Sequence, residues 1–171
     1  MQLTDIEKKI LAGEEGEAKQ IAMEILTNIG EAMEADSFVE VSSVQAMAHF
    51  GSLHIAGRDW LEKLACMGGK CCVPTTQDPA SIPFKHWQEM GYDSEYAENQ
   101  YRLEAAIMKL GEMPKWSCTP YYQGSVPRAG QNIAWAESSA VSFANSVLGA
   151  RTNRTPAGLA VCAALTGKMP R

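Results

Sequence analysis

The sequence lacks a long apolar run. Its longest uncharged stretch, Val41 to Gly57, is interrupted by Ser42, Ser43, Gln45 and two histidines, and is too polar to span a bilayer. No apolar stretch follows the charged N-terminal residues, which argues against a secretory signal, so a cytoplasmic location is expected. Dense basic clusters with interleaved aromatics are missing, so neither nucleic acid nor membrane is an expected partner. Cys-x-x-Cys and His-x-x-x-His spacings do not occur, and His49, His54 and His86 read as structural. Without a Walker loop, a Gly-x-Gly-x-x-Gly pattern or a Gly-x-Ser-x-Gly elbow, nucleotide binding and serine hydrolysis are disfavoured. Acids are scarce at one end. Beyond residue 112 the single acid is Glu137, against six bases, whereas residues 1–36 carry nine acids and three bases. A basic end of this kind suits either a pocket for a small anion or packing against an acidic partner.

What is present is enough for one ordinary domain: 171 residues, of which 46% are hydrophobic. The five cysteines of a chain without a signal read as reduced thiols, and adjacent Cys71 and Cys72 cannot close an unstrained disulfide. Cys66, Cys71 and Cys72 are poorly spaced for tetrahedral zinc.

Thr4-Asp-Ile-Glu7 has the form of a capping box and opens a helix ending near Gly13. Apolar residues at 18, 21, 22, 25, 29 and 33 predict a helix over 14–35. Further helices are expected over 58–67, 94–110, 134–148 and 156–165, and strands over 38–41, 70–76 and 116–118. Alternating strands and helices predict a helix-rich α/β fold. Three polar segments, 41–45, 73–79 and 117–121, are candidate ligand loops, since open α/β sheets bind ligands beyond the strands' carboxyl ends. On the predicted helix 134–148, Ser138, Ser142, Asn145 and Gly149 share a small, uncharged face that suits close packing or a ligand. Arg151 and Arg154 place two guanidinium groups in one loop, a pattern suited to a carboxylate or phosphate but common on surfaces.

Several longer runs carry a family resemblance. Cys118-Thr-Pro-Tyr121, Val126-Pro-Arg128, Ile133-Ala-Trp-Ala-Glu-Ser-Ser139, the run from Ala144 to Arg154 and Ala163-Ala-Leu-Thr-Gly167 resemble the catalytic large subunit of aconitase X. Gly13-Glu-Glu-Gly-Glu-Ala18, Ser42-Ser43 and Val73-Pro-Thr-Thr76 fit the same family in the same order. The resemblance implies an aconitase-like catalytic domain and an iron–sulfur hydro-lyase that dehydrates mevalonate 5-phosphate or cis-3-hydroxy-L-proline. It implies Cys118 as a cluster ligand and Ser43, Thr75 and Thr76 as lining of the substrate pocket. Arg151, Asn153 and Arg154 would hold the substrate's carboxylate or phosphate, with Glu137 and Ser138 in support. The family's catalytic part is longer and carries further cluster cysteines, so residues 1–171 are expected to be its N-terminal portion. A small swivelling subunit or a missing C-terminal part is the expected partner, and a small domain fused in front of the first helix is not expected. Thr155-Pro-Ala-Gly158 departs from the Glu-Gly-Gly-Pro frequent in the mevalonate-type members. The rival expectation is a non-catalytic fragment or interaction module that pairs with a partner chain and holds no cluster by itself.

Overall fold

The computed structural model describes all 171 residues, Met1–Arg171. Helix α1 (Asp5–Leu11) opens on the expected reciprocal cap: Glu7 N donates to Thr4 Oγ1 at 3.3 Å and Thr4 N to Glu7 Oε2 at 2.7 Å. Helix α2 (Glu17–Ala32) follows, burying Ala18, Ala22, Met23 and Leu26. The chain then forms strand β1 (Phe38–Glu40), strand β2 (Val44–Ala46) and helix α3 (Phe50–Cys66). Strand β3 (Thr75–Gln77) and helix α4 (Ser94–Leu110) come next. A 3₁₀ turn at Pro120–Gln123 precedes strand β4 (Ala134–Trp135) and helix α5 (Ser138–Phe143), which widens into a π turn over Ala144–Leu148. Helix α6 (Ala157–Thr166) and strand β5 (Lys168–Pro170) complete the chain. No helix is long and apolar enough to cross a membrane.

The sheet is parallel, in the order β3-β2-β4, with Gln45 paired to Thr76 on one side and to Trp135 on the other. A separate antiparallel ribbon joins β1 to β5. Helix α6 is the centre of the core. Its residues from Ala160 to Leu165 are all buried, and it packs on α2 and on β2. A helix apolar all round belongs in an interior, and its small alanines allow close approach. Burial also pushes the Cys162 thiol up to about 12, so it stays protonated and inert. Helices α3 and α4 pack together beside this core. A smaller cluster of Ile133, Trp135, Ala140, Ala144 and Ala150 holds α5 against β4.

The α/β class agrees with the sequence pattern, while several elements do not. Residues 41–45 read as a loop, yet Val44–Ala46 is the central strand: three residues buried on both faces show no alternation. The strand expected over 70–76 shrinks to Thr75–Gln77. The strand expected over 116–118 is irregular, because Trp116 sits at a φ of 44°, outside the extended region. The helix expected over 134–148 begins only at Ser138, since Ala134 N donates to Ser43 O at 3.0 Å and joins the sheet. Helix α3 starts eight residues earlier than periodicity suggests, because the break at His54 (φ 52°) interrupts its pattern. Ribbon strand β5 is not foreshadowed at all.

Helix α4 begins at a well-formed cap in which Asp93 Oδ1 accepts from Glu95 N at 2.8 Å and Tyr96 N at 3.1 Å. Asp93→Ala is expected to cost about 1 kcal/mol of stability, read as a lower urea midpoint with an unchanged slope. A loss below a few tenths of a kcal/mol would mean that the α3 packing alone holds this terminus.

Candidate functional site

Paired residues of a parallel ladder share a face, and side chains alternate along each strand. Gln45, Thr76 and Trp135 therefore lie on one face of the sheet, and Val44, Thr75 and Ala134 on the other. Two residues further along, Asp78 follows Thr76 and Glu137 follows Trp135, bringing two carboxylates beyond the strands' carboxyl ends. The segment 116–118 runs across the same end, fastened by Ser117 N donating to Gln77 O at 3.2 Å. The result is a group in which Asp78, Cys118 and Glu137 hold one ligand atom each within 4.8 Å of one another.

Gln45, fully buried, ties the three together. Its Nε2 donates to Asp78 Oδ1 at 2.7 Å and faces the carbonyls of Ser117 and Cys118 at 3.2 and 3.4 Å. Its Oε1 accepts from Glu137 N at 3.4 Å. Glu137 is also the N-cap of α5: its Oε1 accepts from Ser139 N at 3.3 Å and from Ser138 Oγ at 3.1 Å. Burial and the neighbouring Glu137 charge push the Asp78 carboxyl up to about 7, against the pull of the Gln45 hydrogen bond. Cys118 is exposed, and its thiol is raised first by partial desolvation and then by the Asp78 and Glu137 charges. A thiol between two acids is not an activated nucleophile, because nothing cationic stabilises its thiolate.

The expected site residues are placed in five surroundings. Cys118, Glu137 and Ser138 meet at the sheet's carboxyl end, joined by Asp78 and Gln45. Ser43 and Thr76 line a cavity of about 340 Å³ beside the indole of Trp135, whose Nε1 donates to Ser43 Oγ at 3.3 Å. Thr75, expected in the pocket, faces away from it. One residue from Thr76, it projects from the opposite face, is buried, and donates to Val73 O at 3.0 Å. Arg151 and Asn153 line a different cleft of about 620 Å³ with Arg171, beside the β1–β5 ribbon. The cause is the backbone: Ile133 N donates to Arg151 O at 2.9 Å, so Arg151 lies at the amino end of β4. Arg154 is exposed. On the uncharged stripe of α5, Asn145 brackets the backbone of Thr152 with bonds of 2.9 and 3.1 Å, so there the stripe is internal packing.

An iron–sulfur cluster is held chiefly by cysteine thiolates. The donor group here contains one, Cys118; Cys66, Cys71, Cys72 and Cys162 lie outside it. The residues present thus offer one thiolate, which fits one corner of a cluster and no more. Gln45 and Asp78 stand inside the expected ligand loops, but no short-range pattern distinguished them from their neighbours.

An α/β domain with a thiol and two carboxylates at the carboxyl end of its parallel strands belongs to the broad class of sheet-end ligand sites. Among known families, the match is to the aconitase X first domain over residues 1–171, and the chain belongs to the aconitase X family. It is 42% identical over 165 residues to the phosphomevalonate dehydratase large subunit of Methanothermobacter thermautotrophicus, covering 96% of this chain and 41% of that protein. It is 36% identical to the cis-3-hydroxy-L-proline dehydratase of Pseudomonas aeruginosa, covering 98% of this chain and 29% of the relative. The crystal structure of Thermococcus kodakaraensis aconitase X in its holo form superposes with a TM-score of 0.89 at 42% identity, over 99% of this chain and 42% of that one. The chain thus spans less than half the length of the relatives it matches.

Proposed function

We propose that the chain is the N-terminal portion of an iron–sulfur hydro-lyase that dehydrates a small hydroxy acid, of the kind represented by mevalonate 5-phosphate and cis-3-hydroxy-L-proline. The observation that carries this reading is the meeting of Cys118 with Glu137 and Ser138 at the sheet's carboxyl end, in a chain that matches the aconitase X first domain throughout. When bound, a cluster iron with an open position supplies Lewis-acid polarisation of the leaving hydroxyl. Within this chain, Cys118 would contribute one thiolate. The Ser138 hydroxyl and Glu137 carboxylate, fixed at the cap of α5, would orient the substrate. Gln45 would keep Asp78 and the 117–118 carbonyls in register with them. The remaining thiolates and the swivelling part that closes the site would come from the rest of the family's architecture. Thr76, with a buried hydroxyl that has no partner, and Ser43 line the neighbouring cavity on the same face and would extend the pocket.

Anaerobic reconstitution with iron and sulfide tests this. The chain alone is expected to form no stable cluster, because it offers one thiolate in the group. Combined with a family C-terminal portion and small subunit, it should show cluster absorption and dehydrate one of the two acids. Both signals should fall at least tenfold in Cys118→Ser. Full activity in the 171-residue chain alone, or an unchanged cluster in Cys118→Ser, would overturn the assignment.

A further inference from the structure

Trp116, two residues before Cys118, holds a φ of 44°. A bulky side chain takes that backbone only where its surroundings offset the strain, and such residues gather at functional sites. Burial alone does not hold it, since the residue is 42% exposed. Two contacts do. The indole packs against Phe84, with ring centroids 5.3 Å apart, and its Nε1 donates to Glu104 Oε2 at 3.3 Å. We propose that Glu104 is a positioning residue for Cys118, holding through the Trp116 indole the strained turn that sets where the thiol lies.

Glu104 is itself held from behind. It is buried, and its Oε1 accepts from Gln100 Nε2 at 2.9 Å. Gln100, also buried, cannot turn its amide over, because its Oε1 already accepts from Phe50 N at 3.0 Å and from Ser81 N at 3.2 Å. Each Glu104 oxygen therefore meets a donor, which a carboxylate satisfies and an amide of the same shape does not. Phe50 opens α3 after strand β2, and Ser81 lies in the loop after strand β3. One pair of side chains on α4 thus gathers the segments leaving two strands of the sheet together with the segment that carries Cys118. On its other side that segment is fastened by Ser117 N to Gln77 O at 3.2 Å and by Gln45 to the carbonyls of 117 and 118. A polar network satisfied at each member in this way rigidifies what it holds.

The use of the thiol as a cluster ligand rests on the dehydratase reading; its placement by Glu104 does not. The test is alkylation of the folded 171-residue chain by iodoacetamide, followed at each cysteine by peptide mass spectrometry, with circular dichroism confirming each fold. Exposed Cys66, at the end of α3, is the internal reference, and buried Cys162 reports general loosening. Trp116→Phe removes the indole N–H while keeping a ring against Phe84, and Glu104→Gln removes one of the two acceptors. In both, the Cys118 rate relative to Cys66 should rise by roughly threefold or more, because a released segment opens more often, while Cys162 stays unmodified. Asp93→Ala, which weakens α4 only at its cap, should leave the ratio unchanged. A ratio unchanged in both Trp116→Phe and Glu104→Gln, or a rise that Asp93→Ala reproduces or Cys162 shares, overturns the proposal. Neither cluster nor substrate enters the measurement, so this inference and the dehydratase reading can fail separately.

Discussion

Glu112→Met is expected to stabilise the chain by a few kcal/mol at pH 8 and to flatten the loss of stability that the wild type shows above pH 5. Glu112 is 4% exposed, and neither carboxylate oxygen has a hydrogen-bond partner. Burial, and secondarily the Glu104 charge, push its carboxyl up to about 8. In the unfolded chain the group ionises near its ordinary value of about 4.5. Between these values the folded state holds a proton that the unfolded state has released, so stability must fall as pH rises. The contribution is complete below about pH 4.5 and is lost as pH passes through about 8, at roughly 1.4 kcal/mol per unit. Asp78 and Glu104, both raised chiefly by burial, act in the same direction and leave a residual slope. Methionine fills a similar volume with no group to ionise. Urea midpoints of both proteins from pH 5 to 9 decide the matter: curves that converge at acid pH and separate at alkaline pH are expected. Parallel curves would show that Glu112 is ionised in the fold.

Gln45→Leu should be the most damaging single change at the site, at about 3 kcal/mol or more of stability. Leucine keeps most of the volume but leaves Asp78 Oδ1 without its 2.7 Å donor and Glu137 N without its acceptor, and removes a donor from two backbone carbonyls. A buried group that loses one partner suffers its full desolvation cost, which exceeds the net worth of the bond. The proton affinity of Asp78 should rise further, because the Gln45 amide is what holds it down. Urea denaturation at pH 6 and 8 measures both effects: a large loss at pH 6, and a larger one at pH 8. A loss under about 1 kcal/mol at both would show that the 117–118 segment is held by other contacts.

The two substitutions probe different parts of one design. The sheet has very short strands, and the order at its carboxyl end comes from side chains that cross between segments. Gln45 reaches 33 residues to Asp78, 72 to Ser117 and 92 to Glu137. Such bonds can rigidify a site without regular structure, provided that each polar group is satisfied.

By itself the sequence determined helices α1, α2 and α4, because a cap and a 3.6-residue period are local. The Thr4–Glu7 box, the α2 stripe and the start of α4 at Ser94 all lie where the pattern puts them. It also determined the family, since the run from Ala144 to Arg154 is specific without reference to structure, and through the family it singled out Cys118. Tertiary structure alone decided which residues share the site. Strands of two or three residues are too short to show an alternation, so the opposite directions of Thr75 and Thr76 follow only from ladder pairing. The backbone bond between Ile133 and Arg151 moved that arginine to the far end of β4. The approach of Asp78 to Cys118 and Glu137 depends on three parallel strands ending side by side, a juxtaposition of distant segments that no local pattern records.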